Sequence, residues 1–293
     1  MLYLCLIGGE CCVQPELKKS LKDLALQIRI GIVTGIGALG VGHLGGSLSV
    51  ADLLAVLYGE VMRIDPKNPT WPERDKLVCS KGHAGPAVYA TLAIKGYFPY
   101  ELLKTLNQPH TTLPSHCDRL KTPGVDMTTG SLGQGTSQAV GLAMGDRIKG
   151  RKSRVFLITG DGEMNEGQVW EAAMLAAGHG IDNLFWFVDN NKKQLDGTIE
   201  QILPQGDLLA KAQAFGFDAQ RVNGNCVVEI SEAIHRAEAV SGKAHMIILD
   251  SIKGAGIPEV EETVANHSMM VSREQADRWI AQLEAKRAEL AAQ

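Results

Sequence analysis

The chain has 293 residues and a formal net charge of −4, with 45% hydrophobic and 21% charged residues. This length suits one large α/β domain with appended segments, and the acidic balance argues against nucleic acid or anionic lipid as a partner. The six cysteines form neither CxxC pairs nor a small disulfide-rich framework, so the sequence predicts a cytoplasmic protein with free thiols.

The amino-terminal third is predicted to be mostly helical. Residues 1–14 contain an apolar segment that is too short to span a membrane and lacks the basic residues of a signal peptide, so we expect a disordered extension. Helical spacing of apolar residues begins at Glu16, and a second helix is expected after Ser49, whose hydroxyl is placed to cap it. A short buried strand in DKLVC (75–79) then precedes a helix that ends at Gly96.

The rest of the chain predicts a parallel sheet. Four short apolar runs rich in β-branched residues occupy 153–159, 183–188, 217–222 and 244–252, and helical patterns separate them. This alternation is typical of a doubly wound α/β fold, a mostly parallel sheet with helices on both faces. The last segment, 273–293, is expected to form a carboxyl-terminal helix, which leaves residues 15–272 as the main domain.

Polar motifs follow two of the predicted strands directly. Gly160-Asp161-Gly162 comes after one apolar run, and Asp189-Asn190-Asn191 comes after the next. Because ligands of open parallel sheets bind beyond the carboxyl ends of the strands, both motifs are predicted to face one crevice. Glycine lets a phosphate approach the backbone, while carboxylate and amide oxygens are hard ligands that suit Mg²⁺ or Ca²⁺. With no Walker lysine present, the sequence predicts a metal-bridged diphosphate site.

Four separated motifs in a fixed order reveal a resemblance. GHLGGSLSVADLLAVLY, SKGHAGPAVYA and KTPGVDMTTGSLGQG precede GDGEMNEGQVWEAA, and paired asparagines follow 27 residues after the GDG. From about residue 16 to 268 the chain resembles the amino-terminal part of transketolase, a thiamine-diphosphate enzyme. The resemblance implies transfer of a two-carbon ketol unit from a ketose phosphate to an aldose, with thiamine diphosphate and Mg²⁺ (or Ca²⁺ or Mn²⁺) as cofactors.

The resemblance also implies roles for individual residues. The metal would be held by Asp161, the side chain of Asn191 and the carbonyl of Lys193. Two histidines, His43 and His110, would line the substrate channel, where imidazoles can bond sugar hydroxyls and move protons near neutral pH. Further contacts with the cofactor are implied for His83, Gly130, Ser131, Leu132, Gly162, Asn191 and His267, of which residues 130–132 would lie against the aminopyrimidine.

Part of a transketolase has no counterpart in the sequence. The pyrimidine-binding and carboxyl-terminal domains of the family, and the glutamate that activates the cofactor, match no residue here. The chain is therefore predicted to work with a second subunit in an α2β2 heterotetramer, with Glu166 and Glu171 as interface candidates. Three motifs depart from the family, namely VGHLGG (41–46), SHCD (115–118) and NHS (266–268), which leaves the identity of the sugar open.

Other functions stay open on the sequence. The α subunit of a 2-oxo-acid dehydrogenase shares the GDG and NN elements, although GHLGGSLS and SKGHAG do not suit it, and a noncatalytic partner that kept only the cofactor half-site is a third possibility. The pattern GIGALG (35–40) matches GxGxxG, but it lies in a predicted helix, so a nicotinamide site is not expected. Adjacent His116 and Cys117 are not expected to act as a nucleophile pair, because sequence neighbours rarely face each other.

Overall fold

A computed structural model gives the structure of residues 13–293. The extension predicted for residues 1–14 lies outside this range apart from its last two residues, so its disorder stays a prediction. The helices are α1 (Pro15–Leu39), α2 (Leu44–Leu48), α3 (Ala51–Val56), α4 (Gly85–Ile94), α5 (Gln134–Ile148), α6 (Gly167–Gly178), α7 (Ile199–Ile202), α8 (Leu208–Phe215), α9 (Val227–Glu238), α10 (Pro258–Glu262) and α11 (Arg273–Ala292). The strands are β1 (Val41–Gly42), β2 (Lys76–Cys79), β3 (Val155–Gly160), β4 (Leu184–Asn190), β5 (Asp218–Asn223), β6 (His245–Asp250) and β7 (Met269–Met270).

The main sheet has five parallel strands in the order β2-β3-β4-β6-β5. Side chains of β3 alternate between two separate cores, as expected for a strand buried on both faces. Phe156 and Ile158 pack into the core that includes α1, α3, α4 and α9. Val155 and Leu157 pack into the core formed with α5, α6 and α8. The predicted doubly wound fold is therefore confirmed, and the four predicted runs agree with observed strands within two residues.

The two longest helices pack against each other on one side of the molecule. A Cβ added to Gly37 of α1 would lie 2.4 Å from the Cβ of Ala276 in α11, so the helices approach too closely for any side chain there. Trp279 and Leu283 of α11 are buried in the same contact. The predicted carboxyl-terminal helix is confirmed, and the GxGxxG pattern ends α1 with Gly40 in a left-handed conformation, φ +87°.

The region after His43 differs from the prediction of one capped helix. Helix α2 starts directly after His43, and α3 continues into a π-helical turn at Leu57–Val61. Residues 44–61 are apolar enough to cross a membrane by composition, but 89% of this stretch is buried inside the protein, as in a core helix. The predicted cap at Ser49 is wrong: α3 begins at Ala51 with Val50 as its N-cap, and the Ser49 hydroxyl instead donates to the buried Asp189 Oδ2 at 2.6 Å.

A small antiparallel ribbon lies apart from the main sheet. Strand β1 pairs with β7, with Val41 opposite Met270 and Gly42 opposite Met269. Nearby, the amide of Gly45 donates to the carbonyl of Asn266 at 3.0 Å. The ribbon thus brings the chain around His43 next to the chain around His267.

Candidate cofactor and active site

The two polar motifs lie side by side at the carboxyl edge of the sheet. Gly160 is the register partner of Asp189 across β3 and β4. The amide of Asp161 donates to the carbonyl of Asp189 at 3.1 Å. The predicted juxtaposition of GDG and DNN is confirmed, because parallel strands in this register end at the same level.

Asp161 is a buried carboxylate, 2% exposed. Its Oδ1 accepts from the amide of Gly162 at 2.8 Å, and its Oδ2 accepts from the amide of Lys192 at 2.5 Å. Burial, and after it the negative charge of Asp189, raise the pKa of Asp161 to about 7. A bound cation would relieve both effects, since it stabilises the ionised form.

The segment of Asn191 and Lys193 adjoins Asp161, since the amide of the intervening Lys192 donates to Asp161 Oδ2. The Asn191 Nδ2 donates to Asp189 Oδ2 at 2.9 Å, which fixes the orientation of the amide and leaves Oδ1 on the opposite side, where it accepts from the amide of Lys193 at 3.1 Å. Among residues 13–293, no group of three or more histidine, cysteine, aspartate and glutamate side chains could hold a metal ion. The set of one carboxylate, one amide oxygen and one backbone carbonyl nevertheless fits Mg²⁺ or Ca²⁺ that takes its remaining ligands from phosphate and water.

Asp189 is the centre of a buried polar network. The Lys81 ammonium forms a salt bridge with it, and each side chain is 1% exposed. The hydroxyls of Ser49 and Ser251 and the amide of Asn191 also donate to it. Burial alone would raise the pKa of Asp189, but the Lys81 charge and these hydrogen bonds hold it below its ordinary value. The network joins the segments after β2, β4 and β6 to α2, a connection that the sequence patterns did not predict.

Four histidines converge beside this edge. The ring of His43 lies 5.8 Å from His83, 5.4 Å from His116 and 5.4 Å from His267, and the rings of His83 and His267 are 4.6 Å apart. Burial is the largest cause that lowers the pKa of every member, and burial followed by the charge of Lys253 lowers the pKa of His267 to about 3. All four are therefore neutral at pH 7, so each ring offers one donor and one acceptor.

His110 requires a correction. The resemblance places it in the channel, but it is an exposed loop residue with a left-handed backbone, φ +64°, and within residues 13–293 its ring contacts no member of the histidine cluster. His116 takes the position beside His43 instead. The sequence signal was available in the SHCD motif, where His116 follows the family pattern although its neighbours do not.

The loop expected to touch the aminopyrimidine lies against this cluster. A Cβ on Gly130 would be 3.2 Å from His116 Cδ2, and a Cβ on Gly82 would be 2.7 Å from the Gly130 amide nitrogen. The loop can therefore pack so closely on the segment of His83 only because both positions lack side chains. Ser131 and Leu132 are exposed, which leaves them available to a ligand.

Lys253 is a second residue that the sequence patterns did not predict. It is 3% exposed, and its Nζ lies 2.9 Å from the carbonyl oxygen of Lys193 and 3.3 Å from His267 Nδ1. Burial, and after it the positive charge of Lys81, lower the pKa of Lys253 to about 8. A buried ammonium without a carboxylate at bonding distance among the described residues fits an anionic ligand, and the proposed diphosphate site is adjacent.

Two of the residues that depart from the family pattern are buried. Leu44 is fully buried, and Cys117 is 3% exposed. Burial raises the pKa of the Cys117 thiol to about 12, which excludes it as a nucleophile at neutral pH. Glu166 and Glu171 are both exposed at the start of α6, where a partner could reach them, and their interface role stays a prediction.

The fold and the groups at its sheet edge define a domain that binds thiamine diphosphate. The family described as "Transketolase, thiamine diphosphate binding domain" matches residues 20–286. The chain belongs to this family and is a thiamine-diphosphate-dependent transketolase subunit.

Relatives of similar length are subunits of transketolases. The chain is 50% identical over 269 residues to the 6-deoxy-6-sulfo-D-fructose transketolase subunit of Clostridium sp. (strain MSTE9). The matched region covers 92% of this chain and 98% of that relative. It is 39% identical to an apulose-4-phosphate transketolase subunit of Actinobacillus succinogenes, covering 84% of this chain and 88% of that relative. These likenesses favour transketolase over a 2-oxo-acid dehydrogenase.

Solved structures show the same fold in longer chains. A transketolase from Pichia stipitis in complex with sedoheptulose 7-phosphate has a TM-score of 0.83 and 27% identity, over 94% of this chain and 44% of that chain. The transketolase of Leishmania mexicana has a TM-score of 0.80 and 26% identity, over 93% and 46%. This chain therefore corresponds to less than half of those longer chains.

Proposed function

We propose that this chain supplies the diphosphate-binding and metal-binding half of a transketolase active site, and that a complementary subunit with a pyrimidine-binding domain completes it in an α2β2 heterotetramer. The observation that carries the proposal is Asp161, a buried carboxylate whose pKa is raised to about 7 beside the oxygens of Asn191 and Lys193. Such a carboxylate is stabilised when a cation binds. The match of almost the full chain to a transketolase subunit supports the split organisation.

Each part of the site has a separate task in this proposal. Thiamine diphosphate, when bound, supplies the electron sink for ketol transfer, and the protein binds, orients and protects it. Asp161, Asn191 and the carbonyl of Lys193 would hold Mg²⁺, and the ammonium of Lys253 would add a second positive charge at the diphosphate. Gly162, which has no side chain, would let the diphosphate approach the backbone.

The histidines act on the sugar in this proposal. Because His43, His116 and His267 are neutral, each can accept a proton from a sugar hydroxyl or donate a hydrogen bond to it. His83 is the most enclosed of the four, contacts the ring of His267 and is close enough to Lys81 to be influenced by its charge, so we assign it to the diphosphate end. Their convergence within one cluster supports a substrate channel that opens above the sheet edge.

For the sugar we propose 6-deoxy-6-sulfo-D-fructose as the donor. The support is the 50% identity to the relative that carries that sugar in its name, against 39% for the apulose 4-phosphate relative. A purified pair of this chain and its complementary subunit should transfer two carbons from the sulfosugar faster than from apulose 4-phosphate or xylulose 5-phosphate. A higher kcat/KM with either phosphate sugar would overturn the choice of donor and leave the ketol transfer itself intact.

The split organisation is tested by reconstitution. We expect the purified chain alone to lack transketolase activity, because its residues 20–286 match one of the domains that build the active site, and we expect activity and a mass of two copies of each chain after mixing. Asp161→Ala should weaken thiamine diphosphate binding in the presence of Mg²⁺ by at least about tenfold, since it removes the only carboxylate of the donor set. Full activity of the chain alone would contradict the split organisation, and unchanged affinity in the variant would contradict the metal role.

We further propose a cytoplasmic location. Cys79, Cys117 and Cys226 are all free thiols, which suits a reducing compartment. Fractionation of cells that express the tagged chain checks this, and recovery in a secreted or membrane fraction would contradict it.

A further inference from the structure

Glu163 directly follows the GDG motif and has no assigned role, yet it is a densely bonded acid at this edge of the sheet. Its side chain is enclosed, and the residue is 2% exposed. Its Oε1 accepts from the amide of Gly133 at 2.8 Å and from the hydroxyl of Ser80 at 2.5 Å. Its Oε2 accepts from the amide of Gly160 at 3.2 Å. Both oxygens therefore act only as acceptors, and one side chain satisfies two buried backbone amides that would otherwise lack a partner.

These bonds reach three different segments of the chain. Gly160 ends β3 and precedes Asp161, Ser80 follows β2, and Gly133 closes the loop that starts at Gly130. The bond to Gly160 is local, because the two residues are three apart in one turn. The bonds to Gly133 and Ser80 are long-range and depend on the full length of the glutamate side chain.

The loop around Gly133 needs such an anchor. Gly130 and Gly133 have φ of +147° and +83°, conformations that glycine adopts readily but that do not by themselves select one loop geometry. Close packing of Gly130 on Gly82 holds the start of the loop, but Ser131 and Leu132 are exposed and contribute little packing at its end. The carboxylate of Glu163 fixes the amide at the end of the loop relative to the GDG turn.

We propose that Glu163 is a positioning residue that sets the distance between the loop at Gly130–Leu132 and the GDG turn. Since the first segment is assigned to the aminopyrimidine and the second to the diphosphate, Glu163 holds the two ends of the cofactor site in register. The inference rests on that proposed function of the site. It predicts that a ligand spanning both ends depends on Glu163 more than a ligand that occupies one end.

Glu163→Asp separates the local bond from the long-range bonds. Aspartate keeps the charge and can reach Gly160 within the turn, but its side chain is one methylene too short to reach Gly133. In the complex of both subunits with Mg²⁺, we expect thiamine diphosphate to bind at least about tenfold more weakly, because the charged hydrogen bonds to Gly133 and Ser80 are both lost. The affinity for inorganic pyrophosphate, which occupies only the diphosphate end, should fall by less than about threefold.

Asp75→Asn provides a matched control. Asp75 is a buried acid that accepts from the backbone amides of Arg63 and Arg154. It directly precedes β2 and therefore lies at the amino-terminal ends of the strands, away from the cofactor site. We expect this variant to lower the unfolding temperature and to leave the affinity for thiamine diphosphate unchanged. If Glu163→Asp behaves in the same way, or if it weakens both ligands equally, the positioning role is overturned.

A measurement on the wild-type chain covers the case in which Glu163→Asp does not fold. Native-state hydrogen exchange should show the amide of Gly133 protected although Ser131 and Leu132 beside it are exposed, because the Glu163 carboxylate accepts from it. Unprotected exchange at Gly133 would overturn the inference. Failure of the wild-type complex to bind thiamine diphosphate would overturn the proposed function as well, whereas normal wild-type binding with an unaffected variant overturns the inference alone.

Discussion

The buried pair of Lys81 and Asp189 allows a quantitative test of the network under the cofactor site. Removing one member of a buried ion pair costs about 3–5 kcal/mol of folding free energy, because the other charge is left without its partner. The two charges are not equally supported. After Lys81→Met, Asp189 keeps three donors from Ser49, Ser251 and Asn191, so the cost should lie near the lower figure. After Asp189→Asn, the Lys81 ammonium keeps the Gly46 carbonyl as its acceptor in the described structure, at 2.9 Å. The cost in folding free energy should therefore lie near the upper figure.

Urea unfolding of the full chain, followed by circular dichroism, measures this difference. We expect Asp189→Asn to lower the free energy of unfolding by about 1–2 kcal/mol more than Lys81→Met, at an unchanged m-value. The double variant Lys81→Met with Asp189→Asn should cost less than the sum of the two single changes by at least about 2 kcal/mol, since no unpaired charge remains. Additive costs, or a cost of Lys81→Met below about 1 kcal/mol, would refute the reasoning.

Two further predictions concern stability. His235 lies 2.9 Å from Glu60 and 2.9 Å from Glu238, and hydrogen bonds first to Glu238 and then to Glu60 raise its pKa from 6.5 to about 9. The contribution of His235 to the free energy of unfolding is therefore complete below pH 6.5 and is lost as the pH rises through 9. After allowance for solvent screening, we expect this contribution to be about 1–2 kcal/mol. Unfolding curves of His235→Gln between pH 6 and 10 check this, and a variant with the wild-type pH dependence would contradict it. Gly82→Ala places a Cβ 2.7 Å from backbone and should lower the unfolding temperature by several degrees, at a cost of at least about 2 kcal/mol. Gly141→Ala has no described atom within 4 Å of its Cβ and should stabilise the isolated chain by about 0.5–1 kcal/mol, so an equal effect of both changes would contradict the packing argument.

The fold and the cofactor edge were predictable because they depend on local patterns. Apolar runs separated by helices predict a parallel sheet, and the rule that ligands meet the carboxyl ends of its strands is enough to place Asp161 beside Asn191. The register of the strands agrees with that placement, since Gly160 pairs with Asp189. Helix ends marked by glycine, such as the one at Gly96 with φ +87°, were also predictable from the sequence.

The parts that the sequence did not reveal depend on long-range contacts. His110 and His116 lie six residues apart in one polar loop, and spacing alone cannot tell which of them turns inward. Ser49 resembles a local cap in sequence because its tertiary acceptor, Asp189, lies 140 residues away. Lys253 lies in no recognisable motif, so its place in the site is visible only in the structure, where its Nζ contacts the carbonyl of Lys193.

The ribbon of β1 and β7 has a consequence for folding. It brings together His43 and His267, which are separated by 224 residues of chain, the difference of their positions. Contacts at such separation are costly to form early, because closing a long loop loses chain entropy before the contact contributes. His267 follows the last strand of the main sheet, β6, so its contact with His43 can form only after every strand of that sheet has been synthesised. The histidine cluster is therefore completed from the two distant ends of the domain, at the end of its synthesis.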